Sequence, residues 1–218
     1  MTASAPAADG RRASRHVSKR LLAGIAGAVL LVLMVLDTKV VRVGSEQDVR
    51  ADVFSPEAFG AEQFPRIQSL VEARAVDAAT LYAAASADKT AAAQKYGTPA
   101  GIAPLFPVTF TGTLGEGRLG VFEIDVDEVP DVRVRLQTGP AINGTELRDM
   151  PGDIAFGDFT NQIEFQDAAS GINEVMKARV LADLDRDALA GREITVTGVF
   201  RMINPKMWLV TPVRLNVQ

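Results

Sequence analysis

The chain has 218 residues, of which 47% are hydrophobic, so it can bury one sizeable core and a small second unit. It contains no cysteine and one histidine, His16, which excludes disulfides, thiolate metal sites, lipid attachment through a thiol, Ser-His-Asp triads and histidine-based zinc sites. Residues 1–39 carry six basic and two acidic groups, whereas residues 40–218 carry 17 basic and 25 acidic groups. The acidic remainder repels phosphate backbones, which argues against nucleic acid as a partner.

The N-terminus has the pattern of a membrane-targeting segment. A basic tail, residues 1–20, precedes the apolar run "LLAGIAGAVLLVLMVL", and apolar character continues to residue 43. The run alone would span about 24 Å as a helix, somewhat less than a hydrocarbon core of about 30 Å. The basic flank predicts a cytoplasmic N-terminus, a single-pass inner-membrane anchor over residues 21–43 and a periplasmic remainder. A cleaved signal peptide is the alternative, but no small-x-small site follows the run.

Residues 45–97 are rich in alanine and charge, which predicts two or three short helices. Ser55-Pro56 is typical of a helix start, Asp88 is a capping residue and Gly97 is a stop signal. Helical spacing places four apolar residues on one side of the first helix: Phe64, Ile67, Leu70 and Val71. A Pro/Gly-rich linker, residues 97–107, then leads to a different periodicity.

Residues 106–218 alternate between apolar and polar side chains, which predicts five strands with one wet face each. The predicted inward residues are Phe106, Val108, Phe110 and Leu114; Phe122, Ile124 and Val126; Val132, Val134 and Leu136; Ile194, Val196 and Phe200; and Met207, Leu209, Val213, Leu215 and Val217.

A helical stripe lies between the third and fourth of these strands, formed by Ile172, Val175, Met176 and Val180. This order is that of an OB-like barrel. The prediction is therefore an α+β fold, with an N-terminal membrane helix, a small helical segment and an OB-like five-stranded barrel. We expect the helix to cover one end of the barrel, and Pro212 to mark an edge or a bulge.

Three alternating carboxylates, Glu123, Asp125 and Asp127, project from one strand face. They could hold a divalent cation, but Arg133 and Arg135 follow on the next strand, which favours cross-strand ion pairs. We therefore predict no metal and no cofactor.

The long connection before the helix carries the candidate ligand-binding residues: Arg148, Asp149, Asp158, Thr160, Asn161 and Gln162. Long connections with polar side chains often carry function, and carboxylates could also act as acid and base. The alternative is that Phe156, Phe159 and Phe165 clamp the connection against the barrel while its polar side chains bond local backbone groups. We predict no catalytic residue.

Several stretches resemble the bacterial DUF2291 family of predicted periplasmic lipoproteins: "KYG" at 95–97, "VRLQTGPAINGTELRD" from 134, "FGDFTNQIEFQD" from 156 and "LVTPVRL" from 209. The resemblance implies an extracytoplasmic, membrane-tethered module with an accessory role beside sugar transport systems of the ABC type. Where a lipid-bearing cysteine would be expected, the chain has "LDTK" at 36–39. The tether should therefore be the helix itself.

These observations favour a membrane-anchored extracytoplasmic binding or accessory module over an enzyme, with a sugar ABC transporter or solute-binding protein as its partner. The alternative is an envelope hydrolase that uses aspartates of residues 148–164, including Asp153. Oligonucleotide binding, suggested only by the OB-like order, lacks a basic groove and stacking aromatics.

Overall fold

The computed structural model describes residues 19–38 and 54–218. The chain divides into two compact units, Met1–Val53 and Phe54–Gln218. The basic tail before Lys19, the predicted anchor beyond Thr38 and the start of the predicted helical segment up to residue 53 lie outside the described residues.

Helix α1, Lys19–Asp37, is the described element of the first unit. Its large apolar side chains from Ile25 to Leu36 are exposed. Over residues 19–38 and 54–218, no helix combines the length and apolar character that a membrane crossing requires.

Three helices open the second unit: α2 (Pro56–Arg74), α3 (Ala78–Ala87) and α4 (Lys89–Tyr96). Their starts follow from capping, because the side chains of Ser55, Asp77 and Asp88 accept hydrogen bonds from backbone N–H groups of the first turns. The predicted stripe of α2 is confirmed: Phe64, Ile67 and Val71 are buried, and Leu70 is partly buried.

Six strands form one sheet: β1 (Val76–Asp77), β2 (Leu105–Arg118), β3 (Val121–Asp125), β4 (Arg133–Gln137), β5 (Glu193–Arg201) and β6 (Met207–Val217). Their order is β1-β2-β3-β4-β6-β5, and β2 also pairs with β5. Strands β2 to β6 therefore match the five predicted strands. The prediction of a five-stranded barrel is only partly right, because β1 pairs in parallel with β2 and two register shifts interrupt the ladders.

The inward face of β6 was predicted only in part: Val213 is buried and Leu215 packs against both cores, as expected, but the start and the end of the strand differ. Trp208 and Val210 are buried, whereas Met207, Leu209 and Val217 are 36–44% exposed. The register of β6 shifts against β5 between Thr197 and Gly198, opposite Pro212, so a bulge reverses the alternation there, as the proline indicated.

Two apolar cores lie on the two sides of the β5–β6 ladder. The first is enclosed by strands β2 to β6 and includes the stacked rings of Phe106, Phe200 and Trp208. The second joins helices α2, α5 (Glu146–Asp149) and α6 (Gln162–Val180) to Val199 and Val213.

Helix α6 does not close the barrel core, contrary to the prediction. Its stripe is apolar as expected, but Ile172 and Met176 belong to the second core. The helices packed into the barrel core are α3, through Leu81 and Ala85, and α4, through Ala92. A stripe of apolar residues shows that a helix is packed, but not which of two cores it joins.

Two glycines set the contact between α2 and α6. A Cβ on Gly60 would overlap the carbonyl of Gly171, and a Cβ on Gly171 would overlap the carbonyl of Pro56. The two backbones therefore touch, which only residues without a side chain permit.

We expect Gly171→Ala to lower the free energy of unfolding by about 1–3 kcal/mol, because the overlap forces the helices apart, although alanine favours helix by about 1 kcal/mol. Urea denaturation measures the change. Gly157→Ala is the matched control, since no atom lies within 4 Å of its built Cβ. Equal stability of Gly171→Ala and Gly157→Ala would contradict the contact.

Candidate functional site

The connection between β4 and α6, residues 138–161, is the part of the second unit that carries the predicted site residues. Side chains from outside it hold its backbone: Asn173, buried on α6, donates to the carbonyls of Ile142 (3.1 Å) and Gly144 (2.9 Å). Lys177 donates to the Pro140 carbonyl at 3.0 Å. The connection is therefore a fixed surface rather than a free loop.

Asp149 is the shared acceptor of a largely buried ion network. Its Oδ1 accepts from Arg148 Nη2 (2.7 Å) and Nε (2.9 Å), while its Oδ2 accepts from Thr145 Oγ1 (2.7 Å) and Arg201 Nη2 (3.2 Å). The side chains of Arg148, Arg201 and Asp149 are only 7%, 15% and 21% exposed. Two guanidinium groups therefore share one carboxylate. Arg201 also lies 3.8 Å from Glu146 and donates through Nη1 to the carbonyls of Ala100 and Ala103.

Arg148 also connects this network to the start of α6. Its Nη1 donates to the Phe165 carbonyl at 2.8 Å, and its guanidinium carbon lies 3.5 Å from the centre of the Phe165 ring. This stacking is favourable because the ring face carries negative charge density.

Three of the six predicted residues take part in local backbone contacts. Asp158 Oδ2 accepts from the Ala155 N–H at 2.8 Å. Asn161 caps α6, accepting from the N–H groups of its second and third residues, and the Thr160 N–H donates to Glu164 at 2.9 Å. The local bonding that we weighed as the alternative is present, and a ligand-binding role for these residues stays a prediction.

A cavity of about 440 Å³, here called the polar pocket, lies beside the first turns of α6. Arg148 and Gln162 contribute to its lining, together with Asn143, Thr145, Phe165, Gln166, Ala169 and Ser170. Two of the six predicted residues thus share one cavity.

A second cavity, of about 370 Å³, is here called the aromatic pocket. It lies between the start of α2 and residues 153–164, and its lining is Phe54, Phe59, Gln63, Arg66, Asp153, Ile154, Asp158, Phe159 and Glu164. Asp158 is the predicted site residue that it contains. The polar and aromatic pockets together flank the start of α6.

Phenylalanine rings form one side of the aromatic pocket. Phe54, Phe59 and Phe159 contact one another with ring centres 5.4–5.6 Å apart, and Phe159 contacts Phe165 at 5.3 Å. The prediction that the connection's phenylalanines clamp it to the barrel is therefore corrected. Phe159 packs against Phe54 and Phe59 at the start of α2. Phe156 contacts Phe165 instead and remains 54% exposed.

The residues that α2 and β5 bring to the site were missed from the sequence. Arg66 donates to Asp153 across 87 positions, and Arg201 reaches Asp149 across 52. No local pattern indicates such partners, because they meet only once α2 and β5 have packed against the connection.

The three aspartates of the hydrolase alternative are each held by donors. Asp149 lies in the ion network, Asp158 accepts from a backbone N–H and Asp153 forms a two-point ion pair with Arg66. The Arg66 hydrogen bond lowers the pKa of Asp153 below its ordinary 3.8. A general acid needs the opposite shift, so Asp153 is not suited to that role.

The predicted cross-strand ion pairing holds for one carboxylate. Glu123 lies 3.6 Å from the Arg133 Nε, on the exposed face of β3 and β4. Within the described residues, no group of three or more histidine, cysteine, aspartate or glutamate side chains could hold a metal ion.

The fold and site define a mixed α+β protein of OB-fold type. The family model described as "Predicted periplasmic lipoprotein (DUF2291)" matches residues 28–216, so the chain belongs to that family, as the sequence resemblance indicated.

A solved OB-fold protein from Thermotoga maritima is similar, with a TM-score of 0.62 and 20% identity over 77% of this chain and 100% of its own. At that identity the likeness shows the fold alone. A search of curated proteins finds no match.

Removing the shared carboxylate should strongly destabilise the second unit. We expect Asp149→Ala to cost about 3–5 kcal/mol. The variant removes the carboxylate that pairs with Arg148, whose side chain is 7% exposed, and leaves Arg201 with Glu146 at 3.8 Å as its remaining carboxylate among the described residues. Chemical denaturation measures this cost. Asp153→Ala is the matched control; its ion pair is 43% and 61% exposed, so its loss should cost under about 1 kcal/mol. Similar costs for both variants would contradict the network's role.

The Arg66–Asp153 pair should show in acid titration. Because the folded-state pKa of Asp153 is lowered, the pair stabilises the fold above about pH 4 and ceases to do so as pH falls through that folded-state pKa. We expect Arg66→Met to raise the pKa of Asp153 toward 3.8, measured by carboxyl-carbon NMR. An unchanged pKa would show that Arg66 is not its cause.

Proposed function

We propose that this protein is a membrane-tethered extracytoplasmic accessory module that acts by binding rather than by catalysis. The description of its family as predicted periplasmic lipoproteins supports an extracytoplasmic role. The tether we propose is the N-terminal segment, residues 21–43, because the chain has no cysteine to carry a lipid. The exposed apolar side chains of α1 and the preceding basic residues favour that proposal.

The observation that carries the binding role is the connection before α6. Its backbone is held by α6 side chains and by the Asp149 network, yet it lines two cavities. A binding site needs such support, because groups fixed in advance lose less conformational entropy when a partner binds. The candidate contact residues remain Arg148, Asp149, Asp158, Thr160, Asn161 and Gln162.

We propose a sugar ABC transporter or its solute-binding protein as the partner, as the family resemblance implies. The exposed Gln162 at the polar pocket is the position from which such a contact can be tested. We propose different roles for these candidates: Arg148 and Asp149 would hold the backbone of the connection in place, whereas Gln162 would contact the partner directly.

The partner proposal is tested by crosslinking in intact cells. A photoreactive amino acid at Gln162 should capture a permease or solute-binding protein, identified by mass spectrometry. The same amino acid at Asp131, exposed in the turn before β4, should not capture it. Capture of neither protein at Gln162, or equal capture at both positions, would contradict the proposal.

The tether is tested by fractionation. We expect the full chain in the membrane fraction and a chain lacking residues 1–38 in the soluble periplasmic or cytosolic fraction, since the apolar run supplies the membrane affinity. The control is a chain in which Arg11, Arg12 and Arg15 are replaced by glutamine. It keeps the apolar run, so any loss of this variant from the membrane fraction measures losses that do not depend on that run. Recovery of the full chain in the soluble fraction would contradict the tether, and its intact mass would show whether the segment is cleaved.

A further inference from the structure

The aromatic pocket has a strongly one-sided hydrogen-bonding capacity. Among the described residues that line it, the one cation is Arg66, which already donates four hydrogen bonds, two to Gln63 Oε1 and two to Asp153. A guanidinium has five N–H donors, so one remains. Both oxygens of Asp153 are engaged by the same guanidinium. The Gln63 amide keeps one N–H donor, since its Nε2 donates to Glu62 Oε1 at 3.5 Å.

The unfilled positions are carboxylate oxygens. Asp158 accepts through Oδ2 and Glu164 through Oε2, each from one backbone N–H. The other oxygen of each carboxylate has no donor among the described residues. What the pocket can offer a ligand is therefore mainly negative acceptors.

Charge and aromatic character point the same way. The described residues that line the pocket include three carboxylates and one guanidinium, a formal net charge of −2 that disfavours anions. Phe54, Phe59 and Phe159 supply the apolar side, and their ring faces attract cations. These rings contact one another, so a ligand would lie against them rather than between them.

We propose that the aromatic pocket binds a small organic cation, a protonated amine carried on an apolar skeleton. The skeleton would pack on the phenylalanine rings, and the ammonium would donate to the free oxygens of Asp158 and Glu164. A neutral sugar fits less well, because its hydroxyl groups could donate to the same carboxylate oxygens but would leave their negative charge uncompensated. The volume of about 370 Å³ lies within the usual range for small-molecule sites, about 300–1,000 Å³.

This assignment rests on the proposed binding role and adds a ligand class to it. The two can fail separately, because the partner proposal is tested by capture at Gln162 in cells and the ligand class by titration of the purified chain.

The experiment is a titration with three probes built on the same phenylpropyl skeleton: 3-phenylpropylammonium, the neutral 3-phenylpropan-1-ol and the anion 3-phenylpropanoate. The full-length chain is kept in a non-ionic detergent, since ammonium-bearing detergents would compete, and ligand-observed NMR reports the affinity. We expect the amine to bind about tenfold more tightly than the alcohol, and the anion least. Glucose is included as the sugar probe.

Three variants locate the site. Asp158→Asn combined with Glu164→Gln keeps an oxygen for each backbone N–H but removes the charge, and should reduce the amine's advantage over the alcohol to about threefold or less. Phe159→Leu keeps apolar volume without the ring and should weaken amine binding about two- to fivefold.

Arg66→Met is the sharpest variant, because it should strengthen amine binding, about threefold, while leaving the alcohol unchanged. It removes the like charge and frees both oxygens of Asp153, and a damaged fold cannot produce a gain.

Weaker amine binding in Arg66→Met would overturn the assignment. So would an amine no tighter than the alcohol, preference for the anion or for glucose, an unchanged amine affinity in the charge-removing double variant, or no binding of any probe.

Discussion

The second unit depends on the backbone contact between α2 and α6 at Gly60 and Gly171. Because these helices touch without intervening side chains, the start of α2 is brought beside the start of α6. Phe59 of α2 then meets Phe159, which lies just before α6, and Arg66 reaches Asp153. The aromatic pocket is therefore a product of helix packing, although its residues are far apart along the chain. A helix pair separated by ordinary side chains would leave these groups several ångströms apart.

The ladder between β5 and β6 serves both cores. One face of these strands closes the barrel around Trp208, and the other supports α2 and α6 through Val199 and Val213. Using a strand pair on both faces explains why its residues are almost continuously buried between positions 198 and 200 and from 210 to 213. The site lies at the edge of the second core, so its supporting shell is a packed helix–sheet layer rather than a loop alone. That arrangement is typical of sites whose geometry is fixed before a ligand arrives.

Local signals predicted much of this structure, and long-range contacts account for what they missed. Capping residues such as Ser55 and Asp88 fix helix starts within a few residues, and period-two alternation places the inward residues of β2 to β5. The alternation of β6 failed because a bulge adds one residue, and a bulge depends on the partner strand. The two-residue β1 is too short to show a period. Within the site, the sequence pointed to the connection before α6 and to local capping by Asn161, but the contributions of α2 and β5 follow only from tertiary packing.

Because Arg148 and Arg201 share the acceptor Asp149, the substitutions that the chain can accept at these three positions depend on one another. Three separate codons encode Arg148, Asp149 and Arg201, and Arg201 lies 52 positions beyond Asp149. One largely buried carboxylate nevertheless pairs with both guanidinium groups. A single replacement strands a charge, whereas an apolar substitute for the whole trio can be tolerated. Descendants of this architecture would therefore retain the three residues together or exchange them together, and the presence of one becomes a marker for the others.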